Sequence, residues 1–170
     1  DELAKKLHQI AVRMRPTSLD DLGLEAALRT FVEEWSNQNG IAAELETVGT
    51  GTGRLPGDVE TTVYRVVQES LQNILKHAKG VSSVSVILRY EAHGLLAIIE
   101  DDGVGFDLEE LDSAPPSEPG ERRPLGIMGM RERAVLAGGK LDIESTLGKG
   151  TAVFLRLPLP TGETAQHSNP

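Results

Sequence analysis

Residues 100–107 read EDDGVGFD, and they directly follow the apolar run LLAII at residues 95–99. Such a run predicts a buried β-strand, which places Asp101 where the strand ends. A hairpin turn would need only one Asp-Gly pair, whereas this stretch begins with three carboxylates that repel one another unless something binds them. Gly103 and Gly105 would let a flat ligand approach the backbone. We therefore expect a ligand site here, in which Asp101 accepts a hydrogen bond from an exocyclic amine.

Three common ligand-binding motifs do not fit the glycines of this chain. An EF-hand loop with Gly105 at its sixth position would need acidic residues where Val104 and Leu111 stand. A dinucleotide fingerprint that starts at Gly103 would need a small residue in place of Leu108. The Gly-Lys pair at residues 148–149 has no glycine five residues earlier, so it is not a phosphate loop of the Walker type.

Composition restricts the class of protein. The 170 residues predict one domain with a short appendage, and a net charge of −9 argues against nonspecific nucleic-acid binding. The absence of cysteine excludes disulfides and thiolate metal sites and favours a reducing, cytoplasmic compartment. No apolar run approaches the roughly 20 residues that span a membrane. Because the sequence lacks an initiator Met, we expect a piece of a longer protein, which would reach a membrane only through segments outside it.

Periodicity of apolar residues predicts an α+β fold, in which helices cover one face of a mixed, mostly antiparallel sheet. A connector is expected at residues 17–23. The Pro-rich acidic stretch 107–124 is expected to be a mobile loop and residues 160–170 a disordered tail. Helices are expected at residues 1–14, 24–37, 56–79 and 126–137, and strands at 41–48, 84–89, 95–100, 141–145 and 151–157.

The longest predicted helix carries a polar face made of Arg65, Glu69, Asn73 and Lys76, with His77 adjacent. One interpretation is an ordinary solvated face with helix ion pairs. Asparagine is, however, a poor residue for a helix interior, and an amide oxygen is a good ligand for a hard cation such as Mg²⁺. Both interpretations remain open from these residues alone.

Two further stretches combine glycines with a predicted element boundary. PLGIMGMRER at 124–133 puts Gly126 and Gly129 at a helix start, where free N–H groups bind anions; the alternative is an ordinary loop-to-helix junction. GKGTAVFLRLP at 148–158 is a hairpin turn by its simplest interpretation. Its Thr151 could still reach a ligand phosphate with its hydroxyl.

Taken in order along residues 41–158, these motifs resemble the ATP-binding domain shared by sensor histidine kinases, gyrase-type topoisomerases, mismatch-repair ATPases and a class of heat-shock chaperones. The resemblance implies a Bergerat-type two-layer sandwich. RPTSLDDLGLEAALRTF at 15–31, QESLQNILKHA at 68–78 and GIMGMRER at 126–133 are similar to sensor histidine kinases of the nitrate-sensor and degradation-sensor subfamily. A DNA-remodelling ATPase would need a further transducer domain.

The resemblance also implies roles for single residues. Asn73 would hold Mg²⁺ on the ATP phosphates, and Glu69 would act as or assist a general base, with a second possible role as metal ligand. Residues 107–125 would form the ATP lid, and no role is implied for Asp102, which stands where many relatives have Asn. The implied ATP-binding residues are Asn73, Lys76, His77, Asp101, Gly103, Gly105, Gly126, Ile127, Gly129, Met130 and Thr151.

The expected division of the chain follows from the same resemblance. Residues 1–22 would be the end of a dimerisation hairpin and its junction, residues 23–159 the ATP-binding catalytic domain, and residues 160–170 a tail. His8 is followed by Gln9 and stands too close to Pro16 to match the phosphoacceptor of this subfamily, so we expect an ordinary helix histidine. The expected function is transfer of the ATP γ-phosphoryl group to a histidine of a dimeric parent and then to a response regulator. The alternatives are a degenerate nucleotide-binding module and a serine kinase of the anti-sigma type.

Overall fold

A computed structural model describes residues 17–49, 54–107 and 125–159. The predicted α+β class is confirmed, because the described residues form a five-stranded mixed sheet and four helices. The predictions for residues 1–16, for residues 160–170 and for most of the lid lie outside the described residues. The elements are α1 (Thr17–Leu22), α2 (Leu24–Asn39), β1 (Ala42–Val48), α3 (Gly57–His77), β2 (Ser83–Glu91), β3 (Gly94–Asp101), α4 (Leu125–Leu136), β4 (Lys140–Ser145) and β5 (Thr151–Pro158).

The strand order is β1-β2-β3-β5-β4, and the register of the central strands decides which residues face the helices. β1 runs parallel to β2, and the other neighbours are antiparallel. Ile99 of β3 stands opposite Val153 of β5, and both side chains belong to the core between sheet and helices. Since side chains alternate along a strand, Asp101 points to the same side as Ile99. Its direct partner on β5 is Thr151.

One aliphatic core joins the sheet to the helices. On α3 the fully buried apolar residues are Val63, Val66, Val67 and Leu71, which recur at helical spacing. Leu19 of α1 is equally buried in this core, so α1 packs on the same layer as α2 and α3. Residues 17–23 were predicted to be a connector, and that prediction is wrong for six of them. The short helix α1 ends at Leu22. Gly23 follows it with φ 81° and donates its N–H to the carbonyl of Leu19 at 3.2 Å.

The polar face predicted for α3 also needs a correction at Arg65. Its side chain is only 6% exposed and does not lie on a solvated face. Nη1 of Arg65 donates a hydrogen bond to Oε1 of Gln68 at 2.6 Å. Burial is the main cause that lowers the pKa of the Arg65 guanidinium. The positive charge of Arg133 on α4 lowers it further. The sequence pattern could not reveal this, because Arg133 lies on another helix and is more than 60 positions away in the chain.

The ends of the predicted elements differ from the observed ones by a few residues. α3 begins at Gly57, after Pro56 as its N-cap, and ends at His77. β2 and β3 are longer than predicted, and β3 includes Asp101 as its last residue. None of the described helices has the length and apolar character needed to cross a membrane.

Candidate functional site

The carboxylate of Asp101 is held at the end of β3 by the backbone. Oδ1 accepts a hydrogen bond from the N–H of Gly103 at 2.9 Å. Burial is the largest cause that raises the pKa of Asp101, and the neighbouring charge of Asp102 raises it further, whereas the backbone groups of Gly103 and Thr151 lower it. The side chain is therefore an oriented acceptor in a partly desolvated position, which is where a charge-assisted hydrogen bond to a ligand is strongest.

Gly103 and Gly105 are both required by contacts within the protein. A Cβ on Gly103 would come within 2.8 Å of Oδ1 of Asp101 and of a methyl group of Val81. Gly105 has φ 62°, and a Cβ there would collide with the carbonyl of Thr146 in the loop between β4 and β5. The glycines thus seat the turn after β3 against the following hairpin. Their contact with a ligand stays a prediction.

Glu69 and Asn73 lie one turn apart on α3 and meet the first glycine of α4. A Cβ on Gly126 would press against Oε1 of Glu69 and lie 3.3 Å from Nδ2 of Asn73. The fold therefore brings Gly126 next to Glu69 and Asn73, although more than 50 residues of the chain separate Gly126 from these two. Gly126 was predicted as a site residue from one motif, and Glu69 and Asn73 from another. Gly129 differs, because a Cβ there would have no heavy atom within 4 Å. Space is open beside this second glycine.

The remaining predicted residues of α3 and α4 have different surroundings. Lys76 and His77 are exposed in the last turn of α3, where basic side chains favour the helix dipole. Ile127 is half-buried against the core. Met130 is almost fully buried, and its sulfur accepts a hydrogen bond from the hydroxyl of Ser70 at 3.6 Å. The side chain of Met130 thus packs between α3 and α4, so any contact with a ligand would come from its backbone.

Ser145 was not singled out from the sequence, yet its hydroxyl joins three segments at this end of the sheet. Oγ accepts a hydrogen bond from the N–H of Phe106 at 2.9 Å. It lies 3.1 Å from the carbonyl oxygen of Gly150 and 3.0 Å from Oγ1 of Thr151. The pairing of Ser145 with Thr151 could have been predicted from the sequence, because these residues end and begin the two strands of the predicted hairpin. The observed register pairs them.

Asp102 points away from this cluster and ties two strands together. Its carboxylate accepts hydrogen bonds from the N–H groups of Ser82 and Ser83, at 2.8 and 2.9 Å, and from both serine hydroxyls. These hydrogen bonds hold the pKa of Asp102 far below its usual range. The largest contribution comes from the hydroxyl of Ser82. Asp102 therefore fixes the start of β2 next to the end of β3.

A divalent cation would find few protein ligands here. In the part of the chain that the structure describes, no three His, Cys, Asp or Glu side chains converge as a metal site. Glu69 and Asn73 together offer one carboxylate and one amide oxygen. This pair fits Mg²⁺, which usually takes one or two protein ligands and completes its octahedron with water and phosphate oxygens.

Comparison with known proteins adds independent information. The family described as histidine kinase-, DNA gyrase B- and HSP90-like ATPase matches residues 58–161. The oxygen sensor histidine kinase NreB of Staphylococcus carnosus is 38% identical over 157 residues, which cover 92% of this chain and 42% of that protein. The chain thus spans less than half the length of this relative.

Solved structures agree with this match. The histidine kinase domain of the blue-light activated histidine kinase EL346 from Erythrobacter litoralis superposes with a TM-score of 0.57 at 27% identity, covering 80% of this chain and 61% of that one. The ATP-binding domain of PrrB from Mycobacterium tuberculosis gives a TM-score of 0.59 at 22% identity, covering 78% and 91%. The second likeness concerns the fold alone.

Proposed function

The chain belongs to the family of histidine kinase-, DNA gyrase B- and HSP90-like ATPases, and we propose that it is the ATP-binding catalytic domain of a sensor histidine kinase. The observation that carries the choice within the family is the alignment to a sensor histidine kinase. It extends over 157 residues and so runs well beyond the span 58–161 of the shared domain. The segment at 15–31 that the sequence analysis assigned to a kinase junction supports the same choice.

In this proposal the adenine lies at the end of β3, against Asp101 and Thr151. From its place at the start of the last strand, the Thr151 hydroxyl was predicted to be within reach of a phosphate. Its position opposite Asp101 in the β3–β5 register instead favours a role at the base. Gly103 and Gly105 would line this end of the pocket. The carboxylate of Asp101 would accept a hydrogen bond from the exocyclic amine, an interaction worth about 1.5–3 kcal/mol.

The phosphates would lie toward the start of α4. Free backbone N–H groups at a helix N-terminus favour anions, and the open space beside Gly129 supports this placement. The backbone of Gly126, Ile127, Gly129 and Met130 would approach the phosphates, with Lys76 and His77 contributing positive charge. Asn73 would hold Mg²⁺, with Glu69 as the second candidate ligand, and the ion would neutralise phosphate charge during transfer.

The reaction would pass the γ-phosphoryl group from ATP to a ring nitrogen of a histidine on a separate dimerisation helix, releasing ADP. The bond from the γ-phosphorus to the bridging oxygen breaks as the phosphorus–nitrogen bond forms. The attacking nitrogen uses its lone pair, so the proton of the imidazole is on the other ring nitrogen. A carboxylate at the position of Glu69 would take the proton from that second nitrogen or assist another base. An aspartate of a response regulator would then receive the phosphoryl group. The parent would be a homodimer through its dimerisation helices, with this domain in the cytoplasm.

Calorimetric titration with ATP, with and without Mg²⁺, tests the nucleotide site. We expect metal-dependent binding by the wild type and its loss in Asp101→Asn. Glu100→Gln is the matched control, because this neighbouring acid is exposed on the opposite face of β3. Equal loss in both variants, or no binding by the wild type, would contradict the assignment of the pocket.

Phosphoryl transfer from labelled ATP to a supplied dimerisation hairpin that carries the acceptor histidine tests the kinase proposal. We expect an acid-labile phosphohistidine on the hairpin and its loss in Asn73→Ala. An acid-stable product on serine would identify a serine kinase. Binding of ATP without any transfer, with a hairpin that is phosphorylated by its own kinase domain, would identify a module that only binds nucleotide.

A further inference from the structure

The hydroxyl of Ser145 makes three close polar contacts, and only one arrangement of protons turns all three into hydrogen bonds. The N–H of Phe106 donates to Oγ at 2.9 Å. The carbonyl oxygen of Gly150 cannot donate, so its 3.1 Å contact with Oγ requires the single proton of Ser145. The 3.0 Å contact with Thr151 is then a hydrogen bond only if the Thr151 hydroxyl is the donor. In the reverse assignment two oxygens would face each other at 3.1 Å without a proton.

This arrangement uses every hydrogen-bonding group of Ser145 and the single proton of Thr151. A hydroxyl has one proton and two lone pairs, and Ser145 donates once and accepts twice. Oγ1 of Thr151 is left with lone pairs and no proton to offer. Thr151 is therefore an acceptor toward anything that binds beside Asp101.

We propose that Ser145 is a positioning residue for nucleotide selection, which keeps Thr151 an acceptor so that this end of the pocket selects a base with an exocyclic amine. The inference rests on the proposed function, because it assumes that a purine nucleotide binds there. An ionised Asp101 is also an acceptor without a proton, and it is the direct cross-strand partner of Thr151. A base that presents a carbonyl oxygen at this place would meet two acceptors and no donor.

Inosine triphosphate is the appropriate probe, because hypoxanthine has a carbonyl oxygen where adenine has its amine. The measured quantity is the ratio of the affinities for ATP and inosine triphosphate. In Ser145→Ala the proton of Thr151 becomes free to donate to the carbonyl oxygen. We expect the preference for ATP to fall about three- to tenfold, the range for one hydrogen bond.

A double-mutant cycle with Thr151→Val separates positioning from a general effect on folding. In the Thr151→Val background, Ser145→Ala should leave the ratio unchanged. Ser36→Ala is the matched control, because the Ser36 hydroxyl also bridges two backbone groups, the carbonyl of Ile41 and the N–H of Ala43. These groups lie two strands away from Asp101, beyond β2. It should leave the ratio at the wild-type value. If Ser145→Ala does not fold, Ser145→Cys serves instead, since a thiol is a weaker hydrogen-bonding group.

The outcomes are distinguishable. An unchanged ratio in a folded Ser145 variant, with normal ATP binding by the wild type, would overturn the inference and leave the proposed function intact. An equal change in the wild-type and Thr151→Val backgrounds would overturn the route through Thr151. Failure of the wild-type protein to bind ATP would overturn the proposed function and this inference together.

Discussion

Asp101 and Asp102 are adjacent in the chain, yet their carboxylates have different partners and their pKa values move in opposite directions. Asp101 faces the helices, and burial raises the pKa of its carboxyl group. Asp102 faces Ser82 and Ser83, whose hydroxyl and N–H groups stabilise the charged form and lower its pKa. The charge of Asp102 therefore stabilises the fold. The charge of Asp101 is destabilised by burial, and a ligand that donates a hydrogen bond to it can offset this cost.

The first prediction concerns Asp102 and acid. A carboxyl group whose pKa is lowered by folding contributes stability above its unfolded pKa of about 3.9, and this contribution is lost as the pH falls below that value toward the folded pKa. We expect Asp102→Ala to lower the melting temperature at pH 7 and to make it less dependent on pH below about 4. Thermal unfolding followed by circular dichroism from pH 2.5 to pH 7 measures both effects. Parallel melting curves for wild type and variant across the acid range would contradict the assignment.

The second prediction concerns Asp101, whose pKa is raised by folding instead of lowered. A carboxyl group whose pKa is raised by folding favours the folded state below its unfolded pKa, and this advantage is lost as the pH rises through the folded pKa. Asp101→Asn keeps an oxygen that accepts the N–H of Gly103 and removes the buried charge. We expect the nucleotide-free variant to melt no lower than the wild type at pH 7, although it binds no ATP. A clearly lower melting temperature would mean that lost binding reflects misfolding.

Much of the site followed from local pattern. The apolar run of β3 and the first Asp-Gly pair predicted where Asp101 would lie, because a strand end and a glycine are readable in sequence. Gly126 was likewise predicted as a site residue only from its place at the start of a predicted helix. These features depend on residues that are close together in the chain, so the sequence alone predicted them.

The residues that were missed depend on contacts between distant segments. The partners of Asp102 stand 19 and 20 positions earlier, and they meet it only because β2 pairs with β3 in one register. Arg65 fits the polar side of an amphipathic helix, but in the fold it is buried and feels the charge of Arg133 on α4. The role of Gly105 likewise depends on the β4–β5 loop. Periodicity describes one element at a time and carries no information on which element lies next to it.

The third prediction separates the two glycines of α4. Gly126→Ala places a methyl group against the carboxylate of Glu69, and this flexible side chain must move away. We expect the displacement to offset the gain of about 1 kcal/mol that alanine brings to a helix. Gly129→Ala meets open space and should stabilise the free protein by about 1 kcal/mol, because alanine is the better helix former. If phosphates lie beside Gly129, its variant should nevertheless bind ATP at least tenfold more weakly. Chemical denaturation and calorimetry on the same samples check this, and unchanged ATP affinity in Gly129→Ala would place the phosphates elsewhere.

The fourth prediction concerns the attachment of α1 to the domain. Arg54 donates to Oε1 of the buried Glu60 at 3.0 Å, to the carbonyl of Asp20 at 3.0 Å and to the carbonyl of Leu19. Since Glu60 is about 1% exposed, Arg54→Met leaves a buried carboxylate without this cation and two helix-end carbonyls without these donors. We expect a loss of about 1.5–3 kcal/mol in the free energy of unfolding, measured by urea denaturation. Arg29→Met is the matched control, because Arg29 pairs with Glu25 on the exposed side of α2, where such a pair is worth about 0.3–0.5 kcal/mol. Equal losses in the two variants would show that the Arg54–Glu60 pair contributes no more than a surface ion pair and that α1 is held by Leu19 and its apolar contacts instead.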